Sequence, residues 1–433
     1  MGEALLSSRK GSGSNGSGSE AIGDIKYTCK TDLGDEWVPC DGRFVYGKEI
    51  YNILKHSLRE LDIPIIGSAA NRAYMGYGNG IYYVPYTAQE SSNVGSVGIY
   101  TTSTPENPDS WEYTDLTSEL YHTSSSYLAR ILSISFLNDK FILVVNDYTT
   151  TETNNVGFTI YESESIKGPY TKKGVIGSTN YSSAWKYSFL RTNLDIIYKD
   201  SYYYVLLARS VSNSTPTLQM ARSQDLATWE VIQIYTQVSS STSWAFQSCA
   251  IFKYSEVLGK FVILIGAASA GGTTSYITAT NPVGTWSGRN NCNMVTDYLF
   301  DIQDFNDKCI ISADGGTIDI VTRTKISDFG GKLYPLNDGL YLFPYTDKKI
   351  HRINEDGTID ELADLGGFAT SSADMNSYNR GVSNGSNIFV MFEKSTTIDG
   401  SNNYKKYSVF DNSGKRIPII PSIDTEQAYI KVE

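Results

Sequence analysis

Four stretches of the chain share one shape: an apolar strand, a polar turn, an aromatic residue closing the turn, and a second strand. In Met220–Thr236 the turn carries Asp225 and Trp229 closes it. Gly98–Thr117 runs through Pro105, Asn107 and Asp109 to Trp111, and Phe158–Ile176 runs through Glu162, Gly168 and Pro169 to Tyr170. Tyr276–Asn290 passes Asn281, Gly284 and Thr285 and closes on Trp286. The closing aromatics recur roughly every 60 residues, a period that marks a repeated supersecondary unit rather than one irregular core.

A second element keeps the same period. A turn leads into an apolar strand at Asn79-Gly80, Asn138-Asp139, Asp200-Ser201, Gly259-Lys260 and Asn306-Asp307, and again at Asn387. With a further strand before each turn, every repeat holds four strands in a meander. Four-stranded antiparallel units set around an axis are β-propeller blades, an arrangement that leaves only short, protected edges. The expected fold is all-β, with about seven blades. Four are explicit in the repeats; Asp297–Leu333, Gly339–Leu365 and Phe368–Ile420 supply the other three. Six blades, or a seventh closed by Tyr429–Val432, fit the same pattern.

Composition agrees. Of 433 residues, 32 are Tyr and only 19% are charged, with abundant Ser, Thr, Asn and Gly. Tyrosine and β-branched residues suit half-buried strands, and small polar residues suit turns. A net charge of −11 excludes a general nucleic-acid surface, which needs a basic stripe. The five cysteines are widely spaced, without a CxxC pair or a nearby histidine, so no metal site is expected. Cys29 and Cys40 are either bridged or reduced and packed. No signal peptide and no apolar run of membrane-spanning length is legible, so a soluble chain is expected.

Residues 1–20 contain Gly-Ser-Gly-Ser-Asn-Gly-Ser-Gly-Ser, a flexible linker by composition. Residues 21–62 read as a small α+β unit: strands at Gly23–Thr28 and Trp37–Pro39, then a helical period over Tyr46–Leu61. Residues 63–433 would be the propeller. The run Gly23-Asp24-Ile25-Lys26, Trp37-x-x-Cys40-Asp41-Gly42 and Tyr51-x-x-Leu54 resembles the tail-collar module of phage tail fibre and tail-tip proteins. It covers about a tenth of the chain and lacks that family's glycine-rich continuation after Leu61. The resemblance implies virion assembly, with other tail, baseplate or fibre proteins as partners of residues 1–62.

The turns carry resemblances of their own. Ser223–Trp229 looks like a degenerate Asp-box of sialidase-type propellers, with Ala227 where glycine is usual. Glu162–Tyr170 looks like the turn of glycosidase propellers. In both families the motif is architectural, which implies structural roles for Trp111, Tyr170, Asp225, Trp229 and Trp286.

Binding is instead expected in the connections that lead into each inner strand. They share serine-rich segments with aromatics and arginines: Arg72, Tyr127, Arg130, Trp185, Arg191, Trp244, Asp374 and Arg380 are the candidate ligand-binding residues. Guanidinium groups pair with carboxylates or phosphates, and aromatic faces stack on sugar rings. Enzymatic signatures are absent. Glu119, Asp195 and Asp374 lie near these connections, but nothing pairs two of them as a glycosidase requires. Arg416-Ile417-Pro418 mimics a sialidase tripeptide in the wrong part of the chain, and His56, His122 and His351 form no motif. No nucleophile elbow, phosphate loop or HExxH occurs, and no cofactor is implied. The function expected is host-surface glycan adhesion by a multicopy phage tail fibre or receptor-binding protein of the virion. A glycan-depolymerising, sialidase-like glycosidase and a purely structural decoration protein are the alternatives.

Overall fold

The computed structural model describes residues 25–28, 37–40, 44–45, 59–68, 75–87, 96–105, 107–120, 130–146, 158–176, 195–209, 217–236, 250–266, 273–295, 299–313, 315–337, 339–344, 349–364, 381–384, 388–398, 401–411, 415–416 and 427–431. Strands dominate these residues. β1 (Ile25–Thr28), β2 (Trp37–Pro39) and β3 (Phe44–Val45) open the chain, and β4 (Arg59–Ser68) follows.

Seven four-stranded antiparallel sheets come next, each a blade. Blade 1 is β5 (Gly76–Gly78), β6 (Ile81–Thr87), β7 (Val97–Thr102) and β8 (Glu112–Asp115). Blade 2 is β9 (Arg130–Leu137), β10 (Lys140–Asn146), β11 (Phe158–Ser163) and β12 (Thr171–Ile176). Blade 3 is β13 (Ile197–Lys199), β14 (Tyr202–Arg209), β15 (Thr217–Ser223) and β16 (Glu230–Thr236). Blade 4 is β17 (Ala250–Ser255), β18 (Lys260–Ile265), β19 (Thr273–Ala279) and β20 (Asn290–Val295). Blade 5 is β21 (Leu299–Phe305), β22 (Lys308–Ala313), β23 (Gly316–Asp319) and β24 (Thr324–Ser327). Blade 6 is β25 (Gly331–Leu336), β26 (Gly339–Pro344), β27 (Lys349–Ile353) and β28 (Ile359–Asp364). Blade 7 is β29 (Val382–Ser383), β30 (Ile388–Ile398) and β31 (Ser401–Asp411), and its fourth strand is β4.

First strands of neighbouring blades touch at β5 and β9, β17 and β21, β21 and β25, and β25 and β29; β14 meets β17, and β29 meets β5 to close the ring. The chain is therefore an all-β propeller. Its seventh blade is closed from the other end of the sequence: Tyr404 pairs with Ser68 and Asp411 with Arg59. Three expectations are corrected here. Tyr429–Val432 does not close a blade, because β33 (Gln427–Lys431) pairs with β1 and β2 instead. The helical period of Tyr46–Leu61 ends in strand, since Arg59–Leu61 opens β4; residues 46–58 lie outside the described residues. Gly331–Leu333, assigned to the fifth blade, begins the sixth because β25 pairs with β26.

The core lies in the wedges between blades. In β10, Phe141, Leu143 and Val145 pack toward blade 1, while Ile142 and Val144 pack toward blade 3. In β18, Phe261, Ile263 and Ile265 join the wedge with blade 3, and Val262 and Leu264 the wedge with blade 5. A second strand buried on both faces must be a continuous apolar run, and this explains why those strands lack polar alternation. The hairpins feeding them turn on residues with positive φ: Asn138 and Asp139 (50° and 61°), and Asp200 and Ser201 (51° and 66°). Two such residues in a row give the type I′ geometry that matches strand twist.

Compact units divide the chain at residues 58 and 413, not at 62. The smaller unit joins residues 1–57 to 414–433 because both its sheets mix the two chain ends. β33 is the central strand between β1 and β2, and β32 (Lys415–Arg416) pairs with β3. Trp37 and Cys40 are buried here, as are Tyr429 and Ile430. The linker segment, residues 1–20, and Cys29 fall outside the described residues. In the propeller, Cys292 and Cys309 are reduced and buried, and burial pushes both thiols up to about 12.

Candidate functional site

Antiparallel meanders put two kinds of link at opposite ends of the ring. The links between first and second strands and between third and fourth share one end. Links between second and third strands, and those between blades, share the other. The inter-blade connections 69–75, 116–129, 177–196, 237–249 and 365–381 therefore begin and end together. The segments that lead into blades 5 and 6, 296–298 and 328–330, are the shortest of these connections.

The turn end is architectural in every contact it shows. Asp225 Oδ1 accepts from Ala227 N (2.9 Å), Thr228 N (2.8 Å) and Ser223 Oγ (3.0 Å), and these amides hold its carboxyl below the usual range. Trp229 Nε1 donates to Leu226 O (2.8 Å), Trp286 Nε1 to Pro282 O (3.1 Å) and Tyr170 Oη to Ile166 O (2.8 Å). Each ring thus latches its own turn while its body fills the wedge. Trp111 is buried without an acceptor for Nε1 among the described residues. The carbonyl four residues earlier, Asn107 O, is occupied by Ser110 N (3.1 Å) and Ser110 Oγ (2.6 Å). Asp319 is a turn carboxylate that has no closing aromatic to reveal it; it accepts from Val321 N (3.0 Å) and Thr322 Oγ1 (2.7 Å).

Glu119 is not a catalytic candidate in this arrangement. It lies in α1 (Thr117–Leu120), and its Oε2 accepts from Tyr170 N at 2.7 Å, tying blade 1 to blade 2. Asp195 is exposed before β13, and Asp374 lies outside the described residues. Outside them too are Arg72, Tyr127, Trp185, Arg191, Trp244, Arg380, His56 and His122. Arg130 is the first residue of β9, paired with Asn146 at the connection end. His351 is buried against Phe329, ring centroids 4.4 Å apart.

One charged cluster on the innermost strands joins residues from three blades. Asp301 of β21 is fully buried between Lys253 of β17 and Lys332 of β25. Lys253 Nζ lies 3.3 Å from Oδ1, and Lys332 Nζ lies 2.8 Å from Oδ2. Ile302 N (2.9 Å) and Gln303 Nε2 (3.3 Å) also donate to the carboxylate. Burial pushes the Asp301 carboxyl up, but the two ammonium groups outweigh it and hold it below its ordinary value. The lysine side chains are 31% and 25% exposed, whereas Asp301 is at 0%. Asp301 and Lys332 sit in the first half of their strands, on the side where the inter-blade connections arrive. In a sequence these are three ordinary strand charges some 30 to 50 residues apart; only closure of the ring juxtaposes them. A carboxylate held ionised by two cations is unsuited to general-acid duty. No group of His, Cys, Asp and Glu suited to a metal occurs among the described residues.

Toward the turn end, Asp304 Oδ1 accepts from Ser255 Oγ (2.6 Å), and Oδ2 from Glu256 N (2.6 Å) and Val257 N (3.2 Å). Lys199 bridges Glu256 (2.9 Å) and lies 4.0 Å above the Tyr254 ring. These contacts stitch neighbouring inner strands together.

No protein-family model matches the chain, and no curated protein matches it. Solved structures do. An α-L-arabinanase of Penicillium chrysogenum, complexed with arabinobiose, superposes with a TM-score of 0.50 at 12% identity, over 82% of this chain and 99% of that one. An α-L-arabinofuranosidase of Fusarium graminearum with an iminosugar inhibitor gives 0.49 at 10%, over 82% and 98%. The sialidase of Trypanosoma rangeli gives 0.44 at 9%, over 90% of this chain and 60% of that one. The arabinanase superposition shows a shared propeller fold; at this identity it shows nothing more.

Proposed function

We propose that the propeller binds a glycan at the end of the ring where the inter-blade connections meet. The observation that carries this reading is topological. Arg130 is the first residue of β9, and the chain segments that carry Arg72, Tyr127, Trp185, Arg191, Trp244, Asp374 and Arg380 leave and re-enter described strands at that one end, which supports the reading. Serine hydroxyls, aromatic faces and guanidinium groups, the residue types these segments carry, suit sugar rings and their substituents. The role would be adhesion, with many copies compensating weak single-site binding. The resemblance of residues 23–54 to tail-collar modules supports a place on a phage particle, attached through residues 1–62 to other tail proteins.

A second reading is glycan cleavage, which the fold shared with the arabinanase supports better than it supports adhesion. The two separate in one experiment. Purified full-length chain is incubated with bacterial wall and capsular polysaccharides, and both retention on the polysaccharide and release of reducing ends are measured. Retention without release is the expected result. Release of reducing ends makes the chain a glycosidase, and neither retention nor release leaves a structural virion role.

A further inference from the structure

We propose that Lys253 and Lys332, held by Asp301, form a recognition site for the carboxylate of an acidic sugar, a uronate or a sialate. The inference rests on the glycan-binding reading above and names the chemistry of the ligand. Asp301 engages the two ammonium groups on opposite oxygens, at 3.3 and 2.8 Å, and is itself wholly buried. Each ammonium has three N–H donors; Lys332 gives one to Asp301, and Lys253 pairs with it by charge. The cluster therefore carries two positive charges against one negative, with donors left to offer.

Two like charges fastened to one buried carboxylate repel each other, and a second anion between them relieves that repulsion. Exposures of 31% and 25% keep the lysine side chains within reach of a ligand. Their strands lead from the connection end, beneath blades 5 and 6, where only 296–298 and 328–330 bridge the blades. With so short a chain between these blades, this is where a substituent on a bound sugar would reach the inner strands. A chain of net charge −11 repels acidic polymers at large, so a local cationic pair would decide which acidic sugar is held and in what orientation.

The test uses the full chain and an oligosaccharide array holding uronate- and sialate-bearing glycans, each beside its carboxyl methyl ester and a neutral analogue. The expected result is tighter binding of free acids than of their esters, by about tenfold, the value of one charge-assisted contact. Lys332→Met is expected to abolish that preference while binding of neutral analogues persists, and Lys332→Arg is expected to keep it. Equal binding of acid and ester by the wild-type chain overturns this inference and leaves the glycan reading standing. So does a Lys332→Met chain that loses thermal stability but keeps the preference, which makes the cluster a strand tie only. Because the acid–ester comparison needs no variant, a failure of Lys332→Met to fold does not remove the test. Binding to no glycan on the array overturns the general reading along with this one.

Discussion

Lys332 Nζ lies 2.8 Å from Asp301 Oδ2, joining the innermost strand of the sixth blade to that of the fifth, while Lys253 approaches the other oxygen from the fourth. One carboxylate thus spans three successive blades at the axis. Replacing it by Asn leaves two ammonium groups around a neutral amide. Asp301→Asn is expected to cost about 2–3 kcal/mol, below the usual penalty for a broken buried pair because both lysines retain some water. Thermal unfolding checks this.

The same group fixes a pH dependence. Folded Asp301 titrates below its ordinary value, so between the folded and unfolded values, the latter near about 3.9, only the unfolded chain takes up its proton. Its stabilising contribution is complete above the unfolded value and is lost as pH falls through the folded one. The stability advantage of wild type over Asp301→Asn should therefore shrink below about pH 4 and stay level above it. An advantage that grows on acidification would contradict the sign.

Among the closing aromatics, Trp286 and Trp111 differ in one bond. Trp286 donates to Pro282 O at 3.1 Å, and Trp111 has no acceptor among the described residues. Substituting Phe removes ring volume in both, but only Trp286→Phe also loses a hydrogen bond. Trp286→Phe is expected to be the more destabilising by about 1 kcal/mol, read from denaturant midpoints.

Gly330 enters the sixth blade against the fifth so closely that a Cβ there would stand 1.6 Å from Ala313 O. A backbone carbonyl cannot rotate away as a side chain does. Gly330→Ala should cost about 1–3 kcal/mol and loosen the neighbouring start of β25, visible as faster amide exchange over Gly331–Leu336.

Removing residues 414–433 deletes β33, the central strand between β1 and β2. The expected outcome is loss of amide protection over Ile25–Thr28 and Trp37–Pro39, with the protection of β10, β14 and β18 retained. Global unfolding on this truncation would contradict the division into two compact units.

Much of this fold could be read from local signals. Turn aromatics at 111, 170, 229 and 286 are visible because each ring closes its own hairpin, a local event with a fixed spacing. The apolar runs of β10, β14 and β18 betray strands covered on both faces. What stayed hidden is non-local. Nothing in Arg59–Ser68 announces a partner at Ser401–Asp411, and nothing in Gln427–Lys431 announces a place between two strands near the start of the chain. The site divides the same way. Serine, aromatic and arginine residues mark the connections by composition, whereas the Asp301 cluster exists only once three inner strands lie side by side.

The glycan site proposed above lies at the connection end of the ring. Hydrogen–deuterium exchange of the full chain, with and without an oligosaccharide it retains, addresses it directly. Engagement at that end predicts added protection in connections 116–129, 177–196 and 237–249 and in the starts of β17, β21 and β25. Protection confined to the opposite turns, at 138–139, 200–201 and 256–259, would contradict it.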